Sequence, residues 1–69
     1  MSNDEQDPRA ASPSDRIRVL VAEDNDDLRN VLAALIDGEP DMQCVGTVPT
    51  PDGVLPLARE TQPHVVVLD

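Results

Sequence analysis

The sequence contains no Trp, Tyr or Phe, no Lys, and one cysteine, Cys44. Without aromatic side chains, any core must be built from Val, Leu, Ile, Ala and Met. A lone cysteine excludes an internal disulfide, and one histidine with one cysteine cannot supply a structural zinc site. These absences weigh heavily in a chain of 69 residues. A domain of that size buries only about 60% of its unfolded surface and is marginal without a staple. Positive charge is scarce too: five arginines stand against fourteen Asp and Glu, a net of −9. That balance argues against direct binding of nucleic acid or an anionic membrane, and favours cations or basic protein surfaces. No apolar run approaches the roughly 18–20 residues that span a bilayer. The N-terminus lacks the basic stretch and apolar segment of a secretory signal. A soluble, cytoplasmic protein is the expectation.

What is present divides into two parts. Residues 1–15 combine Asp4, Glu5, Asp7, Asp15, two prolines and three serines, with Met1 as the one large apolar side chain. Such a segment cannot offset its ordering entropy by burial, so it reads as a disordered acidic tail. From Arg16 the pattern changes. Ile17, Val19, Leu20, Val21 and Ala22 make a short β-branched run, the signature of a strand buried on both faces. Leu28, Val31, Leu32, Leu35 and Ile36 then recur at i, i+3, i+4, i+7 and i+8, one face of a helix. Asn25 or Asp26 is the expected N-cap, and Gly38 followed by Pro40 a stop signal.

Met42 to Gly46 reads as a second strand. Thr50-Pro51-Asp52 has the form of a second helix start, with Val54, Leu55, Leu57 and Ala58 as its buried face. Pro56 falls within it, and an interior proline costs about 3 kcal/mol, so a kinked or frayed helix is expected. Val65 to Leu68 completes a β-α-β-α-β order. Alternation of this kind implies parallel strands joined by right-handed crossovers, with helices on both faces of the sheet.

The chemistry lies at strand ends. The first strand stops at Glu23-Asp24 and the third at Asp69, 45 residues beyond Asp24. Ligand sites in open parallel sheets lie outside the carboxyl ends of the strands. If those two strands are neighbours, three carboxylates converge, repel one another and raise each other's pKa values. A divalent cation relieves the repulsion, and oxygen-only ligands suit Mg2+. An aspartate beside Mg2+ can also attack a phosphoryl group to form an acyl phosphate.

Arg18-Val19-Leu20-Val21-Ala22-Glu23-Asp24-Asn25, Glu39-Pro40-Asp41-Met42-Gln43-Cys44-Val45-Gly46 and Gln62-Pro63-His64-Val65-Val66-Val67-Leu68-Asp69 resemble the beginning of a receiver domain of bacterial two-component response regulators. The likeness covers residues 16–69. It implies a truncated doubly wound, flavodoxin-like receiver fold with three parallel strands in the order 2-1-3. It implies that Glu23, Asp24 and Asp69 hold Mg2+, Asp24 the more direct ligand, and that Asp69 accepts phosphate from a sensor histidine kinase. The Glu-Pro-Asp stretch most resembles regulators with a helix-turn-helix DNA-binding output, which this segment would control without binding nucleic acid itself. His64 stands where that family usually has Asp. Receivers run to about 120 residues, an ordinary domain length, so the resemblance takes in the amino-terminal half. The phosphate-contacting Ser/Thr and the Lys of the family fall beyond it. The competing expectation is a non-catalytic truncated fragment, poorly folded or associating only with other receiver domains.

Other features read as structural. Asp24 to Asp27 superficially suggests a calcium loop, but Leu28 occupies a ligand position and no Gly or later Glu is in register. His64 reads as a turn residue before a strand, and Cys44 as a small buried hydrophobe. Gly38, Gly46 and Gly53 are too dispersed for a nucleotide loop. Arg29 and Arg59 read as solvated charges on helix faces.

Overall fold

A computed structural model describes residues 15–69. The expected acidic tail, apart from Asp15, lies outside the described residues. The elements are β1 (Ile17–Ala22), α1 (Asp26–Asp37), β2 (Met42–Val48), a 3-10 turn at Pro51–Gly53, α2 (Val54–Thr61) and β3 (Val65–Leu68). The strands form one sheet in the order β2-β1-β3, and both pairings are parallel. This is the truncated flavodoxin-like arrangement expected. From β1 the chain crosses outward to β2 and then back over β1 to β3. Right-handed connections in opposite directions put α1 and α2 on opposite faces.

β1 is the centre of the molecule. Val19, Leu20, Val21 and Ala22 are all buried, Leu20 and Val21 completely. Side chains alternate along a strand, so Leu20 and Ala22 share one face. They cluster there with Val48 and with Val54, Leu57 and Ala58 from the α2 side. A register shift between Val19 and Leu20 pairs Val19 with Cys44 but Leu20 with Gly46. At Gly46 α2 comes close to β2: a Cβ there would lie 2.7 Å from Leu57 Cδ2.

α1 starts as its sequence suggests. Asn25 is the N-cap, its Oδ1 accepting the Leu28 N–H at 2.9 Å, and Asp26 and Asp27 favour the positive end of the helix dipole. At the other end Gly38 caps with φ −73°, in the right-handed region rather than the left-handed one common at glycine caps. Its N–H still reaches back to Ala34 O at 3.0 Å.

Three expectations need correction. Pro56 neither kinks nor frays α2: the 3-10 turn takes up Thr50-Pro51, so Pro56 is the third residue of α2. A first-turn N–H has no acceptor within the helix, and proline loses nothing there. The helix faces are only partly buried: Leu32 and Ile36 on α1 and Val54, Leu57 and Ala58 on α2 are half-buried, but Leu28, Val31 and Leu35 on α1 and Leu55 on α2 are exposed. β3 is not covered on both faces either, because Val65, Val66 and Leu68 are exposed at the sheet edge. Among the described residues only β1 has a strand on each side.

Candidate functional site

The site is built by the register of the sheet. Ala22 pairs with Val48 on one side and Leu68 on the other. The next residue, Glu23, therefore leaves the sheet between the turn after β2 and Asp69. Two backbone hydrogen bonds prolong the ladders here: Glu23 N–H to Val48 O at 3.0 Å and Asp69 N–H to Ala22 O at 3.3 Å. Ala22, Glu23, Asp24, Pro49, Pro51, Leu68 and Asp69 line a pocket of about 180 Å3. All three acidic residues singled out from the sequence thus share one pocket at the carboxyl edge.

Their environments differ. Asp24 and Asp69 are exposed, whereas Glu23 is only 3% exposed. Glu23 Oε2 accepts the Asn25 N–H at 3.0 Å, while Oε1 is buried without a hydrogen-bond partner. The Glu23 carboxyl is held above the ordinary glutamate range. The neighbouring Asp69 carboxyl is the main cause, Asp24 and burial add to it, and the Asn25 N–H opposes it.

The donor chemistry fits a hard cation. A buried carboxylate oxygen lacks a donor, two more carboxylates line the same pocket, and all the charged donors are oxygens. Among the described residues, no group of three or more His, Cys, Asp or Glu side chains is already arranged to hold a metal ion. Mg2+ needs no full protein cage, since it typically keeps several waters and takes one or two carboxylates.

Arginines do more than the sequence suggested. Arg29 is not a free solvated charge: its side chain is 17% exposed, donating to Glu23 O at 2.9 Å and pairing with Asp26. Arg59 is exposed, as expected. At the opposite edge of the sheet Arg18 Nε donates to Thr61 O at 3.1 Å, and Nη2 reaches the same oxygen. A cation thus meets the negative end of α2, which ends at Gln62 in a left-handed conformation with φ 54°. His64 precedes β3 as expected. Its Nδ1 accepts the Arg18 N–H at 2.9 Å, and its own N–H donates to Arg18 O at 2.8 Å, so the imidazole prolongs the ladder. Cys44 is half-buried, and burial is the main reason its thiol is held above its usual range.

Comparison with known proteins gives a consistent match. A protein-glutamate methylesterase/protein-glutamine glutaminase from Burkholderia thailandensis is 47% identical over 53 residues, 77% of this chain and 15% of the relative. One from Anaeromyxobacter dehalogenans is 39% identical over 62 residues, covering 90% of this chain and 17% of the relative. A third, from Albidiferax ferrireducens, is 41% identical over 54 residues, or 78% and 14% of the two chains. The matched part of these relatives is an N-terminal receiver domain. The segment belongs to the receiver-domain family.

No family model matches the chain, and no solved structure matches it significantly. The receiver segment spans about 15% of the length of the curated relatives it matches, and its setting is two-component signalling. Those relatives are named as enzymes, but the match is to their receiver part. They give no support to the helix-turn-helix output suggested by the Glu39-Pro40-Asp41 stretch. No described helix is long and apolar enough to cross a membrane.

Proposed function

We propose that Asp69 is the phosphoacceptor of this receiver segment and that Glu23, Asp24 and Asp69 together hold the Mg2+ ion that assists it. The observation carrying the reading is the buried, unpartnered Glu23 Oε1 in a pocket that Asp24 and Asp69 also line. Asp69 is exposed, so its carboxylate is open to a phosphodonor. An Asp69 oxygen attacks the phosphorus of a phosphohistidine on a sensor histidine kinase. The O–P bond forms as the P–N bond breaks, and the electron pair stays on the imidazole nitrogen, which takes up a proton. Held by Glu23, Asp24 and Asp69, Mg2+ would supply positive charge to offset that of the phosphoryl oxygens.

The partners are a sensor histidine kinase and, on the pattern of the relatives, a methylesterase or glutaminase output rather than a DNA-binding one. The segment acts in the cytoplasm, where such kinases present their phosphohistidine. Incubation with Mg2+ and acetyl phosphate tests the reading by intact mass. A slow, Mg2+-dependent gain of one phosphoryl group is expected, and none in Asp69→Asn. An adduct that persists in Asp69→Asn would rule Asp69 out, and no adduct in the unaltered chain would refute the proposal for this form.

A further inference from the structure

The connection from β1 to α1 is three residues long, Glu23-Asp24-Asn25, and holds both members of the acid pair. Each end is secured. Glu23 N–H donates to Val48 O at 3.0 Å, tying the connection to the end of β2. Asn25 caps the helix through Oδ1, and its carbonyl accepts the Arg29 N–H at 2.8 Å. Between these anchors lies the peptide joining Glu23 to Asp24. Its carbonyl oxygen, Glu23 O, accepts from Arg29 Nη1 at 2.9 Å, and Arg29 Nη2 is paired with Asp26 in the first turn of α1.

We infer that Arg29 is a positioning residue for the cation site, a step that rests on the proposed role of Glu23, Asp24 and Asp69. A peptide unit is planar, so holding its oxygen sets the orientation of the Cα atoms at both of its ends. Those two Cα atoms carry the Glu23 and Asp24 carboxylates. A guanidinium presents several donors in a rigid fork, which allows one side chain to hold a backbone oxygen and a carboxylate together. Asp26 stops the fork from swinging, and α1 supplies a rigid base. Arg29 also places positive charge behind the acid pair without entering the pocket, whose lining does not include it. Groups that orient metal-binding residues typically account for about 10–100-fold in metal affinity.

The test is Mg2+ affinity measured on the full chain from backbone amide shifts, with far-UV circular dichroism recorded for each variant. Arg29→Ala should bind Mg2+ about tenfold more weakly than the unaltered chain. Arg29→Lys, which keeps the charge but loses the fork, should fall between the two, and it carries the comparison if Arg29→Ala loses its helical signal. Arg59→Ala makes the same change in net charge on an exposed face of α2 and should leave affinity unchanged. Equal affinity in Arg29→Ala and Arg59→Ala, with Glu23→Gln weakened, would overturn the inference while leaving the cation site standing. Full affinity in Arg29→Lys would show that charge alone matters and would overturn positioning by the fork. An unaltered chain that binds no Mg2+ would remove the site itself, and the inference with it.

Discussion

Glu23 is the residue on which the site turns. Its carboxyl is buried, hydrogen-bonded through one oxygen and unpartnered at the other, and it is held above its ordinary value of 4.5 chiefly by the neighbouring Asp69 carboxyl. A carboxyl whose pKa is raised by folding binds its proton more tightly in the folded chain than in the unfolded one. Its contribution to stability is therefore complete below pH 4.5 and is lost as pH rises through the folded value. Glu23→Gln cannot ionise, so it should lack this part of the pH profile. Urea midpoints of both chains at pH 4 and pH 7 check it: the unaltered chain should lose more stability between the two pH values than Glu23→Gln. Parallel profiles would contradict the assignment. At this scale the acids were legible, because an acid directly after an apolar strand run marks a strand end. The arginines were not. Arg18 meets Thr61 from 43 positions away, and the Arg29 partner is a backbone carbonyl six residues back, outside the helix. Neither leaves a trace in local periodicity.

Among the elements, α1 and α2 show how far spacing and punctuation reach. The five apolar positions of α1 and its Asn25 cap were readable because both obey local rules. In α2 the pattern misleads at Pro56, because Thr50-Pro51 has the form of a helix start and so places Pro56 in a helix interior. Those residues instead form a separate 3-10 turn, and the α-helical hydrogen bonding begins three residues later. The two placements have different energetic consequences. Pro56→Ala should change stability by less than about 0.5 kcal/mol if Pro56 sits in the first turn, where no N–H is needed. It should stabilise the chain by about 3 kcal/mol if Pro56 interrupts a helix interior. Chemical denaturation of the two chains decides between them. β3 illustrates a different limit. Its continuous valine run correctly marked a strand, but such a run cannot report whether a neighbour covers it. In the fold it is an edge strand, with Val65 46% and Leu68 66% exposed.

At the scale of the whole fold, burial among the described residues is concentrated in β1. Among the described residues the buried hydrophobics are Val19 to Ala22 and Val48, while α1, α2 and β3 leave apolar side chains open. The core is therefore small, while the strand order is that of a receiver. Uncovered apolar edges favour association, and the net charge of −9 opposes it by self-repulsion. Raising salt from 20 mM to 500 mM screens that repulsion and should shift sedimentation toward larger species. A salt-independent monomer would show that the exposed faces do not associate. The same acidity acquires a local meaning at the carboxyl edge of the sheet, where Glu23, Asp24 and Asp69 line one pocket. The sequence indicated which acids to watch, and the 2-1-3 strand order brought the ends of β1 and β3 together. What tests that convergence most directly is a Mg2+ titration of the full chain followed residue by residue through its backbone amide resonances. Saturable shifts should centre on Glu23, Asp24, Asn25 and Asp69, and should weaken together in Asp69→Asn. Shifts spread evenly over Asp26, Asp27, Asp37 and Asp52, and unchanged in Asp69→Asn, would mean that the strand ends do not act as one cation site.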